Sequence, residues 1–158
     1  MTALARGAAG RQYAQMISTE LRERREALVR EHMESENRHE FDVTMDTFDH
    51  PRYEIVPTGE IHDGEEAVAR YFTESRAAFP DQRNETIALY HSDEGVIVEF
   101  WLRGTHRGEL RGMAPTGRPF EVRTVALFLF EDDLLVCERV YFDTGTILAQ
   151  LGAAPPSA

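Results

Sequence analysis

The sequence predicts an α+β fold in which helices pack on one face of a curved antiparallel sheet. Helical segments, one short strand and another helix come first, and four strand-like runs then follow one another along the chain. Apolar residues recur with a period near 3.6 in the early segments and a period of two in the later runs. This order lacks the βαβ alternation of parallel sheets. A curved sheet covered by helices on one face would leave a conical cavity between the two layers.

The first helix is predicted from about residue 13 to about residue 38, because apolar side chains recur there at helical spacing. Ser18 is an alternative start, since serine is a favoured N-cap residue. The capping box is absent, because the third residue after Ser18 is Leu21. A short second helix is expected over His39–Phe48, with His50-Pro51 ending it, since the residue before proline avoids the helical region.

The middle of the chain predicts one strand and one helix. Tyr53–Val56 is expected as a short strand, followed by a turn at Pro57-Thr58-Gly59. The helix is predicted over Glu65–Ala78, with its inner face formed by Val68, Phe72 and Ala78 or Phe79.

The four later strands are predicted over Glu85–His91, Val96–His106, Pro119–Phe130 and Leu134–Phe142. Alternation assigns one face of the second of these strands to Val96, Val98, Phe100, Leu102 and His106. It assigns one face of the third to Phe120, Val122, Ala126, Phe128 and Phe130. It assigns one face of the fourth to Leu135, Cys137, Tyr141 and Asp143. A closing helix over Thr144–Leu151 follows.

Length and composition predict a single domain over residues 13–152, with a disordered segment at 1–12 and a flexible tail at 153–158. The net charge of −11 argues against nucleic acid and against an anionic membrane surface as partners. The chain has no apolar run of membrane-spanning length and no secretory signal, so we expect a cytoplasmic protein. Its one cysteine, Cys137, lies in an apolar run and is expected to be a core residue.

Two side chains stand out as candidates for proton chemistry. Asp143 ends an apolar strand, where burial in a pocket would shift the pKa of its carboxyl group. It is also a favoured N-cap for the closing helix, or a partner for Arg139 or Arg123. His106 lies at a strand end between Gly104 and Gly108, where a neutral imidazole can stabilise an enolate or simply bond to backbone.

Several blocks together resemble the SnoaL-like polyketide cyclases of the nuclear-transport-factor-2-like superfamily. These blocks are VREHMESENRHEFD, PTGEIHDGEEAVARYFTESRAAFPD, GTHRGELRGMAPTGRPF, ERVYFD and TILAQLG, which span residues 28 to 152. The resemblance implies a cone-shaped α+β barrel enclosing a cavity, with no metal and no organic cofactor. It also implies ring closure by intramolecular aldol condensation.

By resemblance, Asp143 takes the role of the family's proton-transferring carboxylate, and His106 is expected to assist it. The characterised cyclases also carry a histidine on the strand before the last, where this chain has Val125–Phe130 without one. The expected substrate is a small, largely apolar carbonyl compound. Its binding residues are predicted to be Tyr53, Phe72, Phe79, Phe100, Tyr141, His39 and Asp42.

Other functions remain open at this point. One is a non-catalytic module of the same fold that binds a small ligand. Another is an epoxide hydrolase-like enzyme, in which Asp42 and Asp143 would share one water. His32, Glu36 and His39 faintly resemble a metal set, but no third histidine or cysteine has suitable spacing. The sheet face that carries Trp101 and Val125 needs cover, which a homodimer would provide.

Overall fold

The computed structural model describes residues 17–153 as four helices and one six-stranded sheet. The helices are α1 (Thr19–Asn37), α2 (Phe41–Asp46), α3 (Glu65–Ala78) and α4 (Thr144–Leu151). The strands are β1 (Arg52–Ile55), β2 (Glu60–Asp63), β3 (Arg83–His91), β4 (Gly95–Thr105), β5 (Pro119–Glu131) and β6 (Leu134–Phe142). The predicted α+β architecture is confirmed. The segment predicted to be disordered, residues 1–12, lies outside the described residues, as do residues 154–158 of the tail predicted at 153–158.

The helix starts follow local capping chemistry. Ser18 caps α1, and its hydroxyl accepts a hydrogen bond of 3.1 Å from the Leu21 amide. This cap agrees with the alternative start at Ser18, whereas the start predicted near residue 13 lies outside the described residues. No side-chain cap closes the N-terminus of α3, where Gly64 has a φ of 91° that favours glycine. Among the described residues, no helix combines the length and apolar content needed to span a membrane.

The sheet has the strand order β2-β1-β6-β5-β4-β3. Strands β3 to β6 form the predicted antiparallel meander, whereas β1 pairs parallel to β6. Strand β2 was not predicted. It is a four-residue edge strand whose side chains are mostly exposed, so it has no apolar alternation to reveal it. The helices cover one face of this sheet, and the main core lies between the two layers.

The predicted inner faces of β4 and β5 are confirmed. Val96, Val98 and Phe100 are buried on β4, and Phe120, Val122, Ala126, Phe128 and Phe130 are buried on β5. The outer face carries paired charges instead of an apolar surface. Arg103 pairs with Glu85 and Glu121, Arg123 pairs with Glu99, and both guanidinium groups lie over the Trp101 ring. A homodimer through this face remains a prediction.

Strand β6 departs from the predicted alternation. Phe130 pairs with Leu135 and Leu129 with Cys137, so β5 advances by one residue while β6 advances by two. Val136 is the extra residue of a β-bulge. Because side chains alternate with a period of two, this single insertion reverses the inward and outward faces of the rest of the strand. Beyond the bulge, Glu138, Val140 and Phe142 face the helices.

The predicted common face of Leu135, Cys137, Tyr141 and Asp143 was therefore wrong. Leu135 is in the core, but Tyr141 is 42% exposed on the other side of the sheet. Cys137 is buried as expected, although it lies on the outer side of the bulge, and burial raises the pKa of its thiol to about 11. Burial thus keeps the thiol protonated at neutral pH.

Candidate active site

A cluster of four polar side chains lies between α1 and the sheet. His32 and Glu36 are one turn apart on α1, Tyr53 is on β1, and Glu138 is on β6. Tyr53 and Glu138 are paired residues of the parallel β1–β6 ladder, which sets them side by side. His32 is fully buried, and Glu138 is 5% exposed. We call these four residues the polar cluster.

The histidine ring is held by hydrogen bonds on both nitrogens. Its Nδ1 lies 2.7 Å from the Thr47 hydroxyl, and that hydroxyl donates to the Thr44 carbonyl oxygen at 2.6 Å. Because the hydroxyl has only one proton, we assign Nδ1 as the donor to Thr47. The Nε2 atom lies 2.9 Å from Glu138 Oε2 and 2.8 Å from the Tyr53 hydroxyl. The Tyr53 hydroxyl in turn donates to Glu36 Oε1 at 2.9 Å.

Because the Tyr53 proton goes to Glu36, the Nε2 atom of His32 also carries a proton and donates it toward Glu138 and Tyr53. Burial lowers the pKa of His32, but its interactions with the Glu138 and Glu36 carboxyl groups outweigh burial and raise this pKa to about 9. The cluster therefore contains an imidazolium at neutral pH. Two edge-on aromatic rings, Phe48 and Phe128, pack against it at centroid distances of 5.2 Å.

The two carboxyl groups are shifted in opposite directions. Burial raises the pKa of Glu138, and the nearby negative charge of Glu36 raises it further, against the opposing effect of His32. Burial acts the same way on Glu36, but the pKa of Glu36 is lowered overall by His32, by the charge of Arg76 and by Tyr53. Carboxyl groups whose environments shift their pKa values in opposite directions are candidates for acid/base roles. Glu36 is the ionised partner, and Glu138 is the group that can exchange a proton.

A cavity of about 40 Å³ opens beside the polar cluster. Its apolar wall is formed by Phe100, Leu102, Val140 and Phe142, and its polar lining includes Glu36, Tyr53, Tyr71, Arg76, Asn84 and Glu138. His32 lies behind Glu138 and is not part of the lining. The cavity thus presents one buried carboxyl group with a raised pKa to whatever it holds.

The same cluster also has donor atoms of the kind that bind metals. One ligand atom from each of His32, Glu36 and Glu138 can be chosen so that all three lie within 4.8 Å of one another. Metal binding at His32 Nε2 would require loss of the proton that it shares with Glu138 and Tyr53. The observed hydrogen bonds are those of a proton-sharing pair.

Asp143 lies elsewhere, at the N-cap of α4. Its carboxylate accepts hydrogen bonds from the Gly145 and Thr146 amides at 3.1 and 3.2 Å and from the Thr146 hydroxyl at 2.5 Å. The Thr146 and Gly145 bonds lower the pKa of this exposed carboxyl. The structure thus shows the N-cap alternative. A catalytic role for Asp143 remains a prediction, but it lacks the cavity and the raised pKa that it needs.

His106 is fully buried but does not line the cavity. Its Nδ1 accepts a hydrogen bond of 3.2 Å from the Thr116 amide, and its ring lies 5.7 Å from that of Phe79. The neighbouring Gly108 allows a close approach between backbones, because a Cβ atom there would lie 2.0 Å from the Ala77 carbonyl oxygen. His106 and Asp143 share no contact among the described residues, so their predicted cooperation has no support in the geometry.

The predicted binding residues separate into two groups. Tyr53 and Phe100 line the cavity, and Phe72 is buried behind it with its ring 5.6 Å from that of Tyr53. The others lie away from it. Phe79 belongs to a second apolar cluster with Phe120 and Leu151, Tyr141 is on the outer sheet face, and His39 and Asp42 are exposed around the start of α2.

The sequence analysis did not find Glu138, although it carried a signal. Glu138 is an acidic residue in the strand-like run LLVCERV, and a charged group inside a core must be paired. His32 on the apolar face of α1 was a second such signal. Neither signal is decisive alone, because His32 and Glu138 are partners that lie 106 residues apart in the chain.

The pH dependence of stability provides a test of the polar cluster. The pKa of His32 rises from 6.5 in the unfolded chain to about 9 in the folded protein. Its stabilisation is therefore complete below pH 6.5 and lost as the pH rises through 9, with a magnitude on the order of 3 kcal/mol. We expect the free energy of unfolding in urea to fall over this interval in a Cys137→Ala background, which removes the thiol titration.

The matched variant for this test is Glu138→Gln in the same background. Without the carboxylate, the pKa of His32 should fall, and the slope between pH 6.5 and 9 should flatten. Equal slopes in the two proteins would contradict the assigned His32–Glu138 interaction.

With this geometry established, comparison with known proteins identifies the family. A family model described as SnoaL-like polyketide cyclase matches residues 26–151. The chain belongs to the SnoaL-like polyketide cyclase family.

Among individual relatives, the nogalonic acid methyl ester cyclase of Streptomyces nogalater is 33% identical over 111 residues. The match covers 68% of this chain and 83% of the relative. The predicted family is therefore confirmed.

Solved structures show the same fold at lower identity. A candidate polyketide cyclase from Xanthomonas campestris pv. campestris superposes with a TM-score of 0.75 at 20% identity, covering 83% of this chain and 98% of the other. A phenazine biosynthesis-related protein from Pseudomonas aeruginosa gives a TM-score of 0.70 at 18% identity, covering 88% and 92%. These likenesses confirm the fold, and one fold with such different members does not specify a reaction.

Proposed function

We propose that this protein is a cyclase or isomerase-type enzyme that transfers protons on a small, largely apolar carbonyl compound without an organic cofactor. Glu138 is the general acid/base in this proposal, in place of the predicted Asp143. One observation carries it: Glu138 is a buried carboxyl group with a raised pKa, it lines the cavity, and it shares a proton with His32. The relationship to a nogalonic acid methyl ester cyclase supports a ring-closing reaction.

In the proposed reaction, the Glu138 carboxylate removes a proton from the carbon beside a substrate carbonyl. The electron pair of that C–H bond moves into the carbonyl group and forms an enolate. The enolate carbon then attacks a second carbonyl of the same molecule, forming the C–C bond of the ring. The new alkoxide takes the proton back from Glu138, so the protein ends unchanged.

The rest of the polar cluster tunes this exchange. The His32 imidazolium stabilises the Glu138 carboxylate before the proton is taken, while the negative charge of Glu36 makes the same group more basic. Tyr53, whose pKa is raised well above its usual value by burial, stays neutral and links His32 to Glu36. The cluster thus holds Glu138 ready to accept and return one proton.

The cavity also limits the substrate. A volume of about 40 Å³ holds a few water molecules, so a ring-forming substrate needs part of the wall to move. Gln82 and Arg76 are half-buried and Arg83 is exposed, so the wall can open on this side. The apolar side formed by Phe100, Leu102 and Val140 suits the hydrocarbon part of the ligand.

The test is deuterium incorporation by the wild-type protein in D₂O. A panel of aromatic β-ketoesters and 1,3-diketones is followed by NMR for loss of the α-proton signal and by mass spectrometry for ring closure. An enzyme of the proposed class should catalyse exchange or closure with at least one compound. Tight binding of panel members with no exchange above the protein-free rate would instead identify a ligand-binding module and overturn the proposal.

A further inference from the structure

Arg76 is a cation in the cavity wall whose role the acid/base chemistry leaves unexplained. It lies in the last turn of α3 and lines the same cavity as Glu138. Its guanidinium carbon is 5.2 Å from the centroid of the Phe41 ring and 5.9 Å from that of the Phe72 ring. These two rings are stacked at 4.5 Å with an angle of 15° between their planes. The guanidinium group therefore rests on a rigid aromatic platform.

The hydrogen-bonding capacity of Arg76 is mostly unused. Its one side-chain hydrogen bond within residues 17–153 runs from Nη1 to the Ser75 hydroxyl at 3.0 Å. Its Nε atom is buried with no partner, and no carboxylate of the described residues lies within 4.0 Å of the group. A buried donor without a partner is uncommon, and a molecule in the cavity would supply the acceptor that this one lacks.

The nearby carboxylate does not satisfy Arg76. Glu36 lies close enough for the Arg76 charge to lower its pKa, but its Oε1 atom accepts the Tyr53 hydroxyl proton and lies 3.7 Å from His32 Nε2. The His32 imidazolium lies between the two carboxyl groups, 3.7 Å from Glu36 and 2.9 Å from Glu138. Arg76 adds a second positive charge but forms no hydrogen bond to Glu36, so its N–H donors can pair with an acceptor on a molecule that enters the cavity.

We propose that Arg76 is the anion-binding residue of this cavity, and that the substrate presents a planar oxyanion to it. This inference deepens the proposed function by naming the charge of the substrate. The oxyanion is either a fixed carboxylate or the enolate oxygen of a 1,3-dicarbonyl unit, because the guanidinium fork matches both through paired N–H donors. Glu138 and Arg76 then act on the same bound molecule, one as proton acceptor and the other as anion holder.

The experiment measures binding, so it does not depend on turnover. Calorimetric titration compares two matched pairs of six-membered-ring probes. Benzoate against benzamide tests a fixed carboxylate, and 1,3-cyclohexanedione against cyclohexanone tests an enolate. The proteins are wild type, Arg76→Gln, Arg76→Lys and the control Arg70→Gln. Arg70 lies on the same helix, is 61% exposed and pairs with Glu66 at 3.0 Å.

In the wild type, at least one anionic probe should bind more than tenfold more tightly than its neutral counterpart. Arg76→Gln should remove this preference and Arg76→Lys should keep part of it, since lysine retains the charge but not the fork. Arg70→Gln should leave it unchanged. The pair that shows the preference identifies the kind of oxyanion.

Two results would overturn the inference. One is equal binding of anionic and neutral probes by the wild type, and the other is a preference that survives in Arg76→Gln. Binding is repeated in Glu138→Gln, which removes the proposed base and leaves Arg76 in place. The anion preference should persist there. If the wild type shows the anion preference but catalyses no deuterium exchange, the catalytic proposal fails and this inference stands.

Discussion

Replacing Glu138 with glutamine is expected to lower the rate of α-proton exchange and ring closure by about 10²–10⁴-fold. Glutamine has the shape of glutamate and can still accept the hydrogen bond from His32 Nε2, which lies 2.9 Å from Oε2 in the wild type. It cannot take up a proton at neutral pH. The fold should therefore persist while the chemistry is lost. The deuterium-incorporation assay measures the rate, and circular dichroism and a urea titration establish that the variant is folded.

Asp143→Asn is the matched control, because it makes the same chemical change in the carboxylate that the sequence indicated. Asparagine caps a helix about as well as aspartate, so this variant should keep both its stability and a rate close to that of the wild type. Asp143→Ala should keep the rate but lose about 0.5–2 kcal/mol of stability, because the amides of Gly145 and Thr146 lose their acceptor. A large loss of rate in Asp143→Asn, with Glu138→Gln active, would restore the original prediction.

Replacing His32 with leucine is expected to reduce the free energy of unfolding by about 3–5 kcal/mol, because it leaves a buried carboxyl group without its partner. Glu138 is 5% exposed, and the Thr47 and Tyr53 hydroxyls also lose hydrogen bonds to the ring. The loss should be smaller at pH 5 than at pH 8. Burial raises the pKa of Glu138, so the unpaired carboxyl can become neutral at the lower pH. Urea titrations at the two pH values measure both effects.

The double variant His32→Leu/Glu138→Leu completes this test. Removing both partners takes away the uncompensated charge, so the double variant should be more stable than the sum of the two single losses predicts. A loss of less than about 1 kcal/mol for His32→Leu, or strict additivity in the double variant, would show that the two groups do not form the coupled pair seen here.

Much of the fold could be predicted from local patterns. The period-two alternation of Val96, Val98 and Phe100 fixed the inner face of β4, and the bounds of α3, β6 and α4 agree with those expected. Ser18 and Asp143 are both favoured N-cap residues, and both cap helices in the structure. Strand β2 was missed because its exposed side chains carry no alternation, and its pairing with β1 depends on a neighbouring strand.

The candidate site was harder to predict from the sequence than the fold, for a specific reason. The β-bulge at Val136 shifts the register of β6 by one residue, so strict alternation selected Tyr141 and Asp143 where Glu138 and Phe142 face the cavity. A bulge is settled by pairing with β5 and has no fixed sequence signature. The resemblance to the family pointed to the stretch of chain that contains both Glu138 and Asp143. The choice between these two acidic residues, five positions apart, depended on which face each side chain takes.

The sequence by itself determined the α+β class, the antiparallel meander and the membership of the SnoaL-like family, because these follow from periodicity and from motifs that are local in the chain. Only the tertiary structure decided the site. It brings together His32, Tyr53 and Glu138 from three elements. The Nε2 atom of His32 lies 2.8 Å from the Tyr53 hydroxyl and 2.9 Å from Glu138 Oε2. The raised pKa on which the proposed acid/base role of Glu138 depends arises from burial and from the nearby charges, and neither is a property of any segment alone.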